Sequence, residues 1–506
     1  MNFYKKTIAL AAVWLITLLA MPQTAIHASA NSASTNSAST NSVSTNSAIS
    51  NEAQEHILSE LRKSNIPNAA IAYIKDDEVS FSFKDSTPDT LFQIGSVAKS
   101  FTGFGVMLLE DMGLISVSDS VNKHLPWFEV YFDGVAVPHD EITIGNLLHH
   151  TSGFANDERH FPPLLTGGLT DDEFISKFTG INLSFEPSLE FVYSNVNYVI
   201  LALLIQAVSG SSFDEFLTQN VLLPLGLHNT FTDPARAWET GLVIGGNRLG
   251  FLRTVPDNFN PTALIIPTGF IYSSLTDMVS WAQIHLGMIE VSQQFERVIQ
   301  RSHELSPVSG NPYAQLDFHY AAGWVVHSGY GFIEHNGATP GYSAALRIYP
   351  ESDVAVVFLS NMNYSPIDNV SGFILDAIDG SFNELPTDFF VLLDIIFTSI
   401  TAIGIVFILL LVRLFIKLIK RKQGGEKILG KINPKIAAKL ISLIVSIIIL
   451  AGSYLVPPAI FNNSRMRLVI FEPASSYTAN IALWIIVIYC LCSFLNKLLA
   501  SKPSSS

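Results

Sequence analysis

The longest apolar stretches of this 506-residue chain lie near its two ends. Three of them, residues 395–418, 436–457 and 479–495, are each close to the length of about 20 residues that an α-helix needs to cross a bilayer. The third is the shortest and contains Asn480. This pattern predicts a C-terminal region, residues 386–506, with a bundle of about three transmembrane helices.

Between residues 52 and 385 the apolar residues are distributed as in a globular domain. Residues 69–74 and 79–83 flank the polar sequence KDD, which predicts a β-hairpin. Helices are predicted at residues 52–64, before Gly113 and after residue 191. Four consecutive strands are predicted at residues 322–327, 330–335, 344–349 and 354–359. This order predicts an α/β fold, with an antiparallel sheet flanked by helices and an inserted helical lobe.

The N-terminal end has the features of an export signal. Lys5 and Lys6 precede the apolar run of residues 7–20, and Ala28-Ser29-Ala30 is a small-residue cleavage site. We therefore predict a signal peptide at residues 1–30, with an uncleaved anchor as the alternative. Residues 31–51 contain the polar repeat NSAST, which predicts a flexible linker. Residues 52–385 would then form the exported domain.

Charge is divided unevenly along the chain. From residue 395 onward there are 13 basic and 2 acidic residues, a net charge of +11, whereas the rest has 16 basic and 41 acidic residues, a net charge of −25. The basic loop between the first two apolar stretches is expected in the cytoplasm, which places the exported domain outside the cell. Its acidic charge argues against nucleic acid as a partner. Both cysteines, Cys490 and Cys492, lie in the last apolar stretch, so the exported domain has no disulfide and no cysteine-based metal site.

The exported domain contains a serine three residues before a lysine, Ser96 and Lys99, where a helical pattern begins. Residues three apart share a face of a helix, so the lysine amine is expected beside the serine hydroxyl. Unpaired backbone N–H groups at a helix N-terminus can also stabilise an oxyanion on a serine adduct. Because Ser-x-x-Lys is common by chance, this pair alone does not establish a nucleophile.

Two adjacent histidines, His149 and His150, raise the possibility of a metal site. Neighbouring side chains on a helix point about 100° apart, however, and no acidic residue is spaced to complete a ligand set. Capping and packing roles are therefore favoured for this pair.

Two further motifs follow in a fixed order, Tyr193-Ser194-Asn195 and His335-Asn336-Gly337. With these motifs the chain resembles the serine β-lactamase and penicillin-binding protein superfamily. It is most similar to the class C β-lactamase-related hydrolases, which include DD-peptidases, D-aminopeptidases and esterases. The likeness covers roughly residues 52–380 and includes ITIGNLLHHTSGF at residues 142–154. It implies the β-lactamase/transpeptidase-like fold.

The resemblance implies three catalytic residues. Ser96 would be the nucleophile, and Lys99 would take or relay its proton. Tyr193, with its pKa lowered beside the lysine ammonium, would shuttle a proton during acylation and activate water for deacylation. No metal and no cofactor are implied.

Four substrate-binding positions follow from the same resemblance: Asn195, His335, Gly337 and Ala338. The backbone N–H groups of Ser96 and Ala338 would form the oxyanion hole. One departure matters, because this chain has His-Asn-Gly where β-lactamases and many penicillin-binding proteins have Lys-Thr-Gly. An imidazole is mostly neutral at pH 7, so the positive charge that would face a substrate carboxylate is weakened or absent. This disfavours a dedicated β-lactamase.

The favoured function is that of a membrane-anchored, extracellular bacterial serine hydrolase that cleaves amide or ester bonds, with D-amino-acid peptides of the cell wall as the leading substrate class. A carboxylesterase of the same fold is the nearest alternative. A non-catalytic ligand-binding sensor, which would report binding through the membrane helices, is an alternative of another class. The expected partners are a small peptide or ester substrate, the lipid bilayer and an unidentified protein within the membrane.

Overall fold

The computed structural model describes residues 48–155, 170–250, 253–257, 261–304, 318–363, 367 and 369–385. The predicted signal peptide, nearly all of the linker repeat and the predicted C-terminal membrane region lie outside these residues. Within them, no single helix is both long and apolar enough to cross a bilayer. Asn195–Ser209 and Phe213–Leu222 pass that test only as a pair, across a bend of 77°.

The described residues form helices and strands whose bounds are as follows. The helices are α1 (Asn51–Lys63), α2 (Ala98–Asp111), α3 (Val121–His124), α4 (Ile144–Leu148), α5 (Asp171–Phe178), α6 (Asn195–Ser209), α7 (Phe213–Leu217), α8 (Pro234–Glu239), α9 (Leu275–Leu286), α10 (Gln293–Ser302) and α11 (Val370–Ile378). The strands are β1 (Ala69–Lys75), β2 (Glu78–Lys84), β3 (Leu91–Gln93), β4 (Val130–Phe132), β5 (Val135–Ala136), β6 (Ile181–Asn182), β7 (Thr230–Phe231), β8 (Asn247–Gly250), β9 (Arg253–Pro256), β10 (Tyr272–Ser274), β11 (His319–Tyr320), β12 (Val325–His327), β13 (Phe332–Ala338), β14 (Ser343–Tyr349) and β15 (Val354–Ser360).

Seven strands form the main sheet, in the order β11-β12-β13-β14-β15-β1-β2, and every neighbouring pair is antiparallel. The predicted β1–β2 hairpin and the four consecutive C-terminal strands are therefore confirmed. The first of those four begins at Val325 instead of the predicted residue 322. The reason is a turn at Gly323, whose φ of 86° belongs to the left-handed region and not to a strand.

Both faces of the sheet are covered. Ala70, Ala72 and Ile74 of β1 face one core, which includes apolar residues of α2 and α9. Ile71 and Tyr73 of the same strand face a second core, which includes residues of α1 and α11. Because β1 is buried on both faces, its sequence is a continuous apolar run instead of an alternating one.

The helix that follows Ser96 lies deep in the domain. In α2, 12 of 14 residues are buried, and the helix packs against α6 and α10. Helix α6 is apolar on all sides, with 10 of its 15 residues buried, as expected for a helix surrounded by protein. The start of α2 and the start of α6 are therefore held by packed helices, and both carry residues of the predicted site.

Candidate active site

Ser96 lies where strand β3 turns into helix α2. The connection is a 3₁₀ turn, Gly95–Val97, in which Gly95 has a φ of 54°, a conformation that favours glycine. This turn places Ser96 immediately before the helix, as the sequence predicts. Its side chain is partly exposed, whereas that of Lys99 is fully buried.

The Lys99 amine contacts three oxygen atoms. Its Nζ lies 3.0 Å from Ser96 Oγ, 2.8 Å from Asn195 Oδ1 and 2.5 Å from the carbonyl oxygen of Thr268. The last two oxygens can only accept hydrogen bonds. A neutral amine has two hydrogens for these acceptors and one lone pair left for the Ser96 hydroxyl. In that form of the site the Ser96 O–H donates to Nζ.

The environment of Lys99 favours this neutral form. Burial holds the pKa of its amine well below the usual value, since removing an ammonium from water destabilises the charged state. A lysine of this kind can accept the proton of a neighbouring hydroxyl. The arrangement can therefore turn Ser96 into a nucleophile.

Tyr193 packs against the same amine, with Nζ 4.9 Å from the centre of the phenol ring. The resemblance implies a lowered pKa for this phenol, and that prediction is wrong. Burial, the largest cause, raises the pKa of Tyr193 above its usual value, and the nearby hydroxyls of Ser96 and Tyr320 oppose the shift only in part. The predicted lowering needed an ammonium beside the ring, whereas the burial that raises this pKa also disfavours the charge on Lys99. Tyr193 is thus a protonated phenol in the resting site.

Asn195 and Ser194 have different tasks at the start of α6. Asn195 is the first residue of the helix, and its Oδ1 accepts a hydrogen bond from Lys99. Ser194 is buried, and its Oγ donates to the carbonyl oxygen of Ala155 over 3.1 Å. Tyr193 and Asn195 therefore contact the amine, while the serine between them anchors the segment.

Strand β13 lies directly against the turn that carries Ser96. A Cβ atom on Gly337 would lie 2.6 Å from the backbone nitrogen of Ser96, and one on Gly95 would lie 2.4 Å from the backbone nitrogen of Ala338. Such distances are too short for any side chain. The two N–H groups that the resemblance implies for an oxyanion hole consequently lie in one small area.

The direction of the Ala338 N–H follows from the β13–β14 pairing. Thr339 N donates to Tyr342 O over 2.9 Å, so these two residues form a hydrogen-bonded pair. The next pair, Ala338 and Ser343, is then a non-hydrogen-bonded pair, in which the N–H groups point away from the partner strand. On that outer edge β12 pairs only with residues 332–334. The Ala338 N–H can therefore donate to a bound carbonyl oxygen.

His335 is buried, and both of its ring nitrogens have protein partners. Nδ1 donates to the carbonyl oxygen of Asn336 over 2.8 Å, and Nε2 accepts from the Tyr320 hydroxyl over 2.7 Å. Burial lowers the pKa of His335 to about 3. The ring is thus neutral, in agreement with the predicted loss of positive charge. These two contacts hold β13 in place. Direct substrate binding by His335 stays a prediction.

Tyr320 is a site residue that the sequence analysis missed. It is fully buried, its hydroxyl donates to His335, and its carbonyl oxygen accepts from His149 Nδ1 over 2.6 Å. His149 also caps α4, so the capping role favoured for the histidine pair is confirmed for its first member. No sequence signal marks Tyr320, because its partners lie 15 and 171 residues away along the chain.

The profile of the Beta-lactamase family matches residues 53–378. Protein flp from Staphylococcus aureus (strain NCTC 8325 / PS 47) is 28% identical over 316 residues, which cover 60% of this chain and 61% of that protein. Penicillin-binding protein 4* from Bacillus subtilis (strain 168) is 27% identical over 297 residues, covering 54% of this chain and 61% of the relative. The chain thus matches less than two thirds of the length of these relatives.

Among solved structures, a class C β-lactamase aligns with a TM-score of 0.55 and 18% identity, over 66% of this chain and 96% of the other. At this identity the alignment shows a shared fold. It agrees with the antiparallel sheet, the two covering layers and the position of Ser96 ahead of a buried helix. The chain therefore belongs to the Beta-lactamase family, a family of serine hydrolases with the β-lactamase/transpeptidase-like fold.

Proposed function

We propose that this protein is a membrane-anchored, extracellular serine hydrolase that forms an acyl-enzyme on Ser96 and cleaves amide or ester bonds. The observation that carries this proposal is the set of Lys99 contacts. The amine lies 3.0 Å from Ser96 Oγ while two obligate acceptors, on Asn195 and Thr268, use its hydrogens. In the neutral form that burial of the amine favours, this arrangement leaves its lone pair for the serine proton.

Acylation would form one bond, from Ser96 Oγ to the substrate carbon, and break one bond, to the leaving group, with a proton transfer accompanying each. The Ser96 proton passes to Lys99 while Oγ bonds to the substrate carbonyl carbon, and the N–H groups of Ser96 and Ala338 stabilise the oxyanion. As the carbonyl re-forms, the bond to the leaving group breaks. The leaving nitrogen or oxygen takes a proton from Tyr193, which is replaced from Lys99. In deacylation, water bonds to the acyl carbon while its proton passes through Tyr193 to Lys99. The bond from that carbon to Ser96 Oγ then breaks, Oγ takes the proton back, and the acid is released.

The surroundings of the nucleophile indicate which substrate groups fit. Phe191, Phe318 and Tyr320 form an aromatic cluster beside Tyr193, with ring centres 5.6 Å apart for Phe191 and Phe318, and 5.8 Å apart for Tyr193 and Tyr320. His335, next to this cluster, is neutral. Arg347 of β14 does not supply a cation to the site. It is paired with Glu334 at 2.8 Å, and because Glu334 alternates along β13 with His335, this ion pair belongs to the other face of the sheet.

Two substrate classes follow from this chemistry. D-amino-acid peptides of the cell wall remain the leading class, and the name of the Bacillus subtilis relative, a penicillin-binding protein, supports them. The neutral His335 and the aromatic cluster favour the second class, carboxylic esters with apolar groups, because such a site gains little from a substrate carboxylate. The serine and lysine can serve both, since the attack on a carbonyl carbon is the same.

The relative turnover of two substrates separates these classes. Full-length protein would be given a p-nitrophenyl ester and a D-Ala-D-Ala peptide in parallel, with Ser96→Ala as the control. Faster kcat/KM for the peptide supports the cell-wall hydrolase, and faster kcat/KM for the ester supports the carboxylesterase. If neither is turned over by a folded protein, the sensor becomes the better account.

The location is supported by the sequence alone. The basic start and cleavage site of residues 1–30, together with the apolar stretches after residue 395, favour export followed by retention in the membrane. Protease treatment of intact spheroplasts tests this proposal. We expect the domain of residues 52–385 to be digested from outside and the chain to sediment with membranes. Protection of the domain would contradict it.

A further inference from the structure

His150 joins the end of α4 to the segment that carries Tyr193 and Asn195. Its carbonyl oxygen accepts from Val192 N over 2.9 Å. Its ring nitrogen Nδ1 lies 3.2 Å from Ser194 N and 2.9 Å from Asn197 Nδ2. The histidine is fully buried and has a φ of 57°, which is uncommon for a residue with a Cβ atom. One residue thus holds the segment at three points.

These contacts require one form of the imidazole. The Ser194 backbone N–H can only donate, and the Asn197 amide presents its NH₂ to Nδ1 because its Oδ1 accepts from Ser152 Oγ over 2.6 Å. Nδ1 must therefore be an acceptor, and the ring proton must be on Nε2. An imidazolium would place an N–H against two N–H donors. Burial also holds the pKa of His150 well below its usual value.

The ring lies directly against the catalytic phenol. Its centre is 4.4 Å from that of Tyr193 and 4.5 Å from that of Tyr320. Nε2 is buried and has no hydrogen-bond partner among the described residues. An unsatisfied buried donor destabilises the folded state. A packing residue without that donor would avoid this cost, so the acceptor on Nδ1 is the feature that explains a histidine here.

We propose that His150 is a positioning residue of the active site, whose neutral Nε2–H form fixes the backbone of Ser194 so that Tyr193 and Asn195 face Ser96 and Lys99. The proposal rests on the proposed acyl-transfer function. His150 touches no substrate in this account. Its effect is to hold the phenol and the amide in the geometry that proton transfer requires, and a displacement of about 1 Å there can reduce a rate about 10²-fold.

The pH dependence of this arrangement depends on the ionisable groups around the ring. They are Lys99, His149, Tyr193, Tyr198, Tyr320 and His335. Burial lowers the pKa values of Lys99, His149 and His335 and raises that of the Tyr193 phenol. The uncharged form of each of these four groups is therefore favoured. Protonation of His150 at acid pH would break both hydrogen bonds to Nδ1. The contribution of His150 to activity is therefore lost when the pH is low enough to protonate its ring.

Two substitutions separate positioning from simple packing. His150→Phe keeps a planar ring but removes the acceptor, whereas His150→Gln keeps an acceptor that does not titrate. His56→Gln, in α1, is the matched control on the other side of the sheet. In full-length protein, titration with a fluorophosphonate would count the active sites, so that kcat is expressed per reactive serine.

We expect His150→Phe to lower kcat per titrated site by about 10²-fold with KM changed less than about threefold, and His150→Gln to recover at least about tenfold of this loss. In wild type, ¹⁵N NMR of labelled histidines should give Nε2–H and unprotonated Nδ1 for the signal that His150→Gln removes. Equal kcat per site in His150→Phe and wild type, or a signal from the Nδ1–H form, would overturn the proposal. The NMR result tests the form of the His150 ring even if His150→Phe does not fold.

A failure of the proposed function itself would look different. In that case the wild-type protein would neither react with the fluorophosphonate nor hydrolyse a substrate.

Discussion

Gly95 and Gly337 touch backbone to backbone: a Cβ atom added to Gly95 would lie 2.6 Å from the Cα atom of Gly337. The contact joins the turn of the nucleophile to strand β13, two segments that are more than 200 residues apart in sequence. It brings the N–H groups of Ser96 and Ala338 together. The oxyanion hole that we propose therefore depends on two residues without side chains.

Gly337→Ala tests this dependence. The added methyl group must push β13 away from the serine turn, which separates the two N–H donors. We expect kcat to fall by about 10²–10³-fold, the usual effect of losing one oxyanion donor. Gly245→Ala is the control, because a Cβ atom there meets nothing within 4 Å. Unchanged kcat in a folded Gly337→Ala protein would contradict the proposed oxyanion hole.

Lys99→Arg tests the neutral amine. Arginine keeps a positive charge at all working pH values and has no lone pair, so it cannot take the Ser96 proton. We expect kcat to fall by about 10³-fold or more. Lys63→Arg, at an exposed lysine of α1, should behave as wild type. If the kcat of Lys99→Arg is within about tenfold of that of wild type, Lys99 is not the base that accepts the Ser96 proton.

The same amine sets the acid side of the activity profile. The nucleophile needs deprotonated Lys99, whose pKa is well below its usual value through burial. We expect kcat/KM to decrease as the pH is lowered through that pKa, and to be constant above it until another group titrates. The measurement is a pH profile of ester hydrolysis. A rate that increases as the pH is lowered would contradict a neutral-lysine base.

Buried histidines predict a loss of stability in weak acid. Burial lowers the pKa of His149 to about 4 and of His335 to about 3, whereas an unfolded histidine has a pKa of about 6.5. Between about pH 6.5 and pH 4 the unfolded state therefore binds more protons, and the free energy of unfolding decreases as the pH falls. The carboxylates of Asp119 and Glu334, whose pKa values are lowered to about 2, add to this loss once the pH falls below about 5.

Urea unfolding of the full-length protein at several pH values measures this effect. The slope between pH 6.5 and 4 should include the uptake of up to two protons from this pair, beside the uptake by other buried histidines such as His303, and His149→Gln should reduce it by up to one. A free energy of unfolding that stays constant, or increases, over this range would contradict the assignment of both rings as neutral and buried.

The neutral His335 makes a prediction about substrate charge. With no positive charge on His335, the C-terminal carboxylate of a D-Ala-D-Ala peptide should contribute little to recognition. We expect the C-terminal amide of the same peptide to be cleaved with a kcat/KM within about threefold of that of the acid, less than 1 kcal/mol. A tenfold preference for the acid would show that a positive group recognises it.

The ordered strands and motifs were predictable from local sequence. The β1–β2 hairpin and the C-terminal strands follow from short apolar runs between turns, and the position of Ser96 before a helix follows from the pattern after residue 96. The spacing of Ser96 and Lys99 also predicts their contact. These features depend on neighbours in the chain, which a sequence records directly.

The pKa values and long-range hydrogen bonds of the site residues could not be predicted from the sequence in the same way. The pKa of Tyr193 depends on the burial of its own side chain and of Lys99, which come from different segments. The sequence shows that both residues are present but not how deeply they are buried. The two hydrogen-bond partners of His335, a backbone carbonyl oxygen and the hydroxyl of Tyr320, are also not visible in the sequence. The task of His150 likewise depends on contacts more than 40 residues along the chain.

The most direct test of the central proposal is mass spectrometry of the full-length protein after exposure to a fluorophosphonate, with Ser96→Ala as the control. We expect one covalent adduct on the peptide that contains Ser96, and none on that position in the variant. Labelling should be slower in Lys99→Arg, because the adduct forms only with an activated hydroxyl. A folded protein with no adduct on Ser96, or with labelling as fast in Lys99→Arg as in wild type, would contradict it.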